Sequence, residues 1–202
     1  GGRKMAQTEQ KNQNVKKQFE ELQSLLERAM ALQTSMVLFE WDDETLAPKG
    51  AAEHTARVIG SLSEQYQEIL ASMRFKELLD VCLKAGKENA GVFDEVQSAI
   101  LREAAEEQER LSCIPPEEYR AYAELTAHAT GIWTRAREKN DFASFAPVLK
   151  EIISYQKKFA AYRAKPGQKL YDVMLDTYEK GFNMEMLDPF FELMKGKIVP
   201  LL

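Results

Sequence analysis

The 202 residues are 45% hydrophobic and 29% charged with only ten Gly and seven Pro, a balance that suits a soluble globular protein and excludes collagenous and disordered classes. With 27 basic against 32 acidic residues the formal charge is −5, which gives no pull toward phosphate backbones or anionic lipid, so neither nucleic acid nor a membrane is expected as a partner. Cys82 and Cys113 have neither metal-knuckle spacing nor the density of a disulfide scaffold, which suits reduced thiols and a cytoplasmic location, and no run approaches the ~18 apolar residues of a membrane span.

The amino terminus is too polar for a signal peptide, and residues 1–13 are expected to be a flexible tail, or residues foreign to the natural chain, outside one incomplete helical domain over 14–202. Val15, Phe19, Leu22, Leu26, Ala29 and Met30 recur every three or four positions, predicting a first helix over about 14–39. Pro48 and Gly50 break it, and Ala52, Ala56, Ile59, Leu62, Tyr66 and Ile69 mark a second helix. The short connection makes the two antiparallel.

Ser72 is placed to cap a third helix carrying Phe75, Leu78, Leu79 and Cys82, with its end expected at Gly86. A fourth begins around Phe93 and Val96, and its charged later turns, 103–110, are expected to be solvated before Pro115 and Pro116 end it. Proline at the first helical position followed by Glu117 and Glu118 predicts a fifth helix over 116–139. After Asn140 and Asp141, a sixth carries Phe145, Val148, Leu149, Ile152, Tyr155, Phe159 and Tyr162, and stops at Lys165-Pro166-Gly167. A short helical stretch over 170–178, a turn over 181–183 and a last helix with Leu187, Phe190, Phe191, Met194 and Ile198 complete the chain. No alternating run rich in branched residues falls between turn signals, so the fold class is all-α, an antiparallel multi-helix array. Its apolar ending, Ile198-Val199-Pro200-Leu201-Leu202, predicts that further sequence covers it, the plainer alternative being a last helix docked inward on this chain's own core.

The reactive residue types are sparse. Two histidines, His54 and His128, lie far apart, whereas a helical zinc motif places two imidazoles one turn from each other. Glu124 precedes His128 by one turn, which leaves a two-histidine, one-carboxylate site open, against the weightier reading of two ordinary surface or half-buried histidines. No Ser or Cys occupies a glycine-flanked elbow, and no glycine loop could cradle phosphate. Asp42, Asp43 and Glu44 beside Trp41 form the densest acidic cluster. At a helix carboxyl end they oppose the dipole, so they are expected to find a partner: an amide of the next helix, or Arg57, Arg135 or Arg137. Trp41 is taken as a packing anchor. No residue of the chain is therefore expected to be catalytic or to bind a metal.

Three segments carry a resemblance. Trp41-Asp42-Asp43-Glu44-Thr45 resembles the tryptophan-aspartate-x-glutamate-threonine signature of the carboxypeptidase Taq family of zinc metallocarboxypeptidases. The run from Trp133 through Arg137, Asn140 and Asp141 to Pro147 is similar to a second family segment, and Tyr171-Asp172 through Tyr178 to Gly181 to a third, in the same order. The resemblance implies the amino-terminal part of a larger helical, groove-containing zinc-peptidase fold. It also implies a homodimer in the intact family and removal of carboxyl-terminal amino acids from peptides. Trp41, Asp42, Glu44, Thr45, Trp133, Arg137, Asn140, Asp141, Tyr171, Asp172 and Tyr178 then stand as structural signature residues. The family's His-Glu-x-x-His motif is absent, so no cofactor is expected in this chain, while zinc or another divalent metal is expected in a full-length member. The expected partners are the missing carboxyl-terminal catalytic portion and, in the intact enzyme, a peptide substrate. Two other readings are a free-standing helical interaction module without catalytic activity and a small enzyme that uses the Trp41 to Thr45 cluster.

Overall fold

A computed structural model describes the backbone of residues 2–201 and the side chains of 9–48 and 50–201. Eight α-helices and two 3₁₀ turns, with no strand among the described residues, follow one another: α1 (Gly2–Thr45), α2 (Ala52–Ala71), α3 (Met73–Glu88), α4 (Glu95–Ser112), α5 (Pro116–Glu138), α6 (Phe142–Arg163), α7 (Leu170–Tyr178) and α8 (Met184–Ile198). The chain divides into two compact units, Gly1–Leu149 and Lys150–Leu202, where the sequence predicts one domain. Gly1, Leu202 and the side chains of residues 2–8 and 49 lie outside the described residues.

The first unit is organised by α1. At 44 residues it is about 66 Å long at 1.5 Å per residue, enough for α2 and α3 to run back along it in succession. Ser63 Oγ of α2 donates to Met36 Sδ at 3.0 Å, Arg74 of α3 pairs with Glu21 at 2.5 Å, and Lys11 pairs with Glu88 at 2.9 Å. The antiparallel hairpin expected for the first two helices is therefore extended by α3. The start of α1 at Gly2 corrects the expected start near 14: the segment expected as a tail is helical. The reason is compositional. Glutamine, lysine and glutamate are good helix formers even where no apolar stripe advertises them.

Ser72 joins α2 to α3. Its backbone N–H donates to the Ile69 carbonyl, its hydroxyl donates to the same oxygen at 2.8 Å, and that hydroxyl accepts the Phe75 N–H at 3.2 Å. One residue thus satisfies the end of one helix and the start of the next. The expected stop at Gly86 is corrected: α3 continues to Glu88, with Asn89 as its cap. Asp94 and Gln97 form a reciprocal capping box, 2.8 and 3.1 Å, that starts α4, and Pro116 with Glu117 and Glu118 starts α5.

Between these helices lies the core: Val15, Phe19 and Leu22 of α1, Leu70 of α2, Phe75, Leu78, Leu79 and Cys82 of α3, and Leu101 and Leu111 of α4 are buried together. Phe19 and Phe93 meet at 5.1 Å between ring centroids. The charged turns of α4 are not uniformly solvated as expected. Glu107 and Arg110 are half-buried, the Tyr66 hydroxyl donates to Glu107 Oε1 at 3.0 Å, and Arg110 Nε donates to Glu107 Oε2 at 2.9 Å.

Burial, reinforced by the Glu107 carboxylate, holds the Tyr66 phenol well above its ordinary value. Because the folded state keeps this proton when the unfolded chain would release it, the contribution is complete below ~pH 10 and is lost as pH rises further. Denaturant titrations between pH 9 and 11.5 should therefore show a steeper alkaline loss of stability than the Tyr66→Phe variant. Equal slopes would contradict the placement of this phenol.

In the second unit, Phe159, Ala160 and Val173 are buried, Arg163 Nη1 donates to Thr177 Oγ1 at 3.3 Å, and the Met184 N–H donates to Asp172 Oδ1 at 2.9 Å. No helix among the described residues is long and apolar enough to cross a membrane.

Candidate functional site

The antiparallel course of α2 and α5 is fixed by Arg120 Nη1 donating to Glu64 at 3.0 Å and by the seating of Glu124 against Gly60. That course brings the carboxyl end of α5 beside the start of α2 and the end of α1. At this end a cleft of about 250 Å³ is lined by Glu40, Asp43 and Glu44 of α1, by Thr55, Ala56 and Ile59 of α2, and by Thr126 and Thr130 of α5, among others. Asp43 is half-buried and Glu44 exposed. The three carboxylates lie in the last turns of α1, where the helix dipole is also negative, so the mouth carries negative potential.

The last turns of α1 close on themselves. Both the Leu46 and Ala47 N–H groups donate to the Asp42 carbonyl at 2.9 and 2.8 Å, and Thr45 Oγ1 donates to the Trp41 carbonyl at 2.5 Å. Among the described residues, no ion pair joins Asp42, Asp43 or Glu44 to Arg57, Arg135 or Arg137, which corrects that expectation. Arg57 pairs one turn back with Glu53 at 2.6 Å, and Arg137 stacks 5.2 Å above the Trp133 ring. Trp41 is 56% exposed, so within this chain it is not the packing anchor that its size suggests.

The second signature begins at this same end of the first unit. Asn140 takes the left-handed conformation with φ of 52°, which asparagine tolerates, and turns the chain from α5 into α6. The Asp141 carboxylate then accepts the Ser144 N–H at 3.2 Å. The third signature belongs to the second unit: Asp172 accepts from Met184, while Tyr171 and Tyr178 are exposed. The signature residues thus fall into two groups, one in each unit.

Thr126 and Thr130 were not singled out by the sequence, although their spacing with Thr134 is a legible signal. Each hydroxyl donates to a carbonyl one turn back, 3.0 Å for Thr126, 3.4 Å for Thr130 and 3.0 Å for Thr134, a pattern that tends to bend a helix. Gly60 is the other unforeseen element. A Cβ there would lie 2.1 Å from Glu124 Cγ, so only glycine lets α5 set that side chain against α2. Gly60→Ala is expected to destabilise by about 1–2 kcal/mol, the overpacking cost outweighing the gain in helix propensity. In a Glu124→Ala background the same change should become stabilising. A thermal-denaturation cycle checks the reversal, and additive effects would contradict this contact.

Among the described residues, no group of three His, Cys, Asp or Glu side chains could hold a metal ion. His54 and His128 are both exposed. The geometry of the cleft is that of a polar, acidic wall.

The profile describing the carboxypeptidase Taq (M32) metallopeptidase matches residues 21–202. The chain belongs to this family. Carboxypeptidase 1 of Bacillus subtilis (strain 168) is 34% identical over 177 residues, covering 88% of this chain and 34% of that protein. Thermostable carboxypeptidase 1 of Pyrococcus furiosus is 31% identical over 175 residues, 87% of this chain and 34% of its own length. In three dimensions the BsuCP crystal structure superposes with a TM-score of 0.85 at 33% identity, over 92% of this chain and 36% of that one. The chain thus spans about a third of the length of the family members it matches, corresponding to their amino-terminal part. The all-α architecture expected from the sequence is the one these carboxypeptidase Taq structures share. A metal is expected in full-length members of this metallopeptidase family, but the described residues of this chain do not bring together a ligand set that fits zinc.

Proposed function

We propose that this chain is the amino-terminal substrate-groove and scaffold portion of a metal-dependent carboxypeptidase that removes carboxyl-terminal amino acids from peptides, and that it is catalytically incomplete alone. One observation carries the reading: the family match runs along residues 21–202, yet no three potential ligands converge among the described residues. The zinc or other divalent metal of the whole protein would take its ligands from the portion that this chain does not span.

The chain's own share of the work is steric and electrostatic. Packed helices α1, α2 and α5 make a rigid wall, and the Glu40, Asp43 and Glu44 carboxylates repel a peptide's terminal carboxylate while tolerating its cationic groups. A bound peptide would therefore point its carboxyl end away from this mouth. Cys82, buried in the core with its thiol pushed up to about 11 by burial, supports a reducing cytoplasmic setting. Homodimer formation is supported by a second apolar stripe on α1, where Met30, Val37, Leu38 and Trp41 are 56–62% exposed.

The test is release of the carboxyl-terminal amino acid from a blocked dipeptide. The purified chain with added zinc should release none, and the chain joined to the remaining two-thirds of the Bacillus subtilis carboxypeptidase 1 should release it. Zinc-dependent turnover by the chain alone, abolished by Asp42→Ala or Glu44→Ala, would overturn the proposal in favour of a small self-sufficient enzyme.

A further inference from the structure

Helix α8 is anchored at its start and partly covered only at Met184 and Leu187. Asn183 caps it by accepting the Met186 N–H at 3.0 Å, and Asp172 of α7 accepts the Met184 N–H, so its first turn is held. Even so, none of its residues is buried. At about 100° per residue, Met186, Phe190, Phe191, Leu193, Met194 and Ile198 fall within one half of the circumference, which Lys197 shares in the last turn, and Glu185, Asp188, Glu192 and Lys195 lie on the other. The Lys195–Glu192 pair at 2.7 Å marks the polar half, and Phe190 and Phe191 stand edge to face at 5.5 Å on the apolar half.

A helix at a protein surface buries a stripe roughly 100° wide. The face of α8 spans about 160° at 100° per residue, which suits a helix flanked by more than one neighbour. Met186, Phe190, Phe191 and Leu193 are 51–60% exposed, and contiguous apolar surface of this kind is a contact surface. The family comparisons indicate what covers it: relatives share nearly all of this chain and carry about twice its length in addition.

We infer that the apolar half of α8 is the seat on which the remaining two-thirds of a carboxypeptidase Taq protein packs. The inference rests on the function proposed above and names the partner surface. Phenylalanine is suited to this task because each ring withdraws some 150–250 Å² from water on burial.

Hydrogen exchange of the α8 amides tests it. The rates are measured in the chain alone and in the chain joined to the remaining two-thirds of Bacillus subtilis carboxypeptidase 1. Exchange over 186–198 should slow at least ten-fold in the joined protein. Phe190→Ser should restore fast exchange there, whereas Glu192→Gln on the polar half should not. If the joined protein does not fold, co-expression of the two pieces as separate chains is read in the same way, and failure of both arrangements to give a folded complex overturns the inference. Unchanged exchange in a folded joined protein also overturns it, as does protection of α8 in a dimer of this chain alone. Peptide hydrolysis with α8 still exposed would sink the docking and leave the function standing. Protection of α8 without hydrolysis would do the reverse.

Discussion

Phe75→Ala is expected to lower the unfolding free energy by about 3–5 kcal/mol, the range for truncating a fully buried phenylalanine. Phe75 is 0% exposed and packs in the core with Leu22, Leu70, Leu78 and Leu79, which come from three helices, so no single neighbour can move to refill the space. The substitution also lies in the first turn of α3, where the Phe75 N–H is held by Ser72. Alanine keeps that backbone bond, and the loss therefore reports packing. Urea denaturation followed by circular dichroism measures it, and a loss below about 1 kcal/mol would mean that the site collapses freely, which contradicts a core shared by three helices.

The second large effect belongs to Gln67. Its side chain is buried, and Nε2 donates to the Leu111 carbonyl at 3.2 Å and to the Ile114 carbonyl at 2.8 Å. These carbonyls lie where α4 ends and Pro115 and Pro116 follow, and prolines have no N–H to offer them. Leu111 retains a second donor in the Ile114 N–H at 3.1 Å. Gln67→Met keeps the volume and removes the donors, so it should cost about 1–3 kcal/mol for the stranded Ile114 carbonyl. Gln67→Ala adds a cavity and should cost about 2–4 kcal/mol. Comparing the two by denaturant titration separates hydrogen bonding from packing. A neutral Gln67→Met would show that the carbonyls find other donors.

Much of the helical plan was legible because a 3.6-residue apolar period reports burial and a few residue types report helix ends. Ser72, Pro116 and the Asn140-Asp141 pair each mark the junction where the structure has it. What the period cannot report is a helix with no buried face, and so the polar first turns of α1 were taken for a tail. Nor can it see partners distant in sequence: Tyr66 draws Glu107 and Arg110 out of solvent, and Gly60 accepts Glu124, only because α2 packs against α4 and α5. Family membership was legible in three short motifs. The acidic cleft was half legible, since Asp43 and Glu44 stood beside a tryptophan, while Thr126 and Thr130 resembled ordinary helix positions until α5 was placed.

The unbroken course of α1 from Gly2 to Thr45 has a consequence for how evolution or engineering can alter this chain. Because the rod has no joint, a single residue inserted near its middle turns everything downstream by about 100°, swinging Asp43 and Glu44 off the cleft while Lys11 and Glu21 keep their pairings. An insertion of seven residues nearly restores the angle, yet it carries the carboxylates about 10 Å beyond their threonine neighbours. Length and phase are thus locked together, and changes of size in this part of the molecule are confined to the connections between helices.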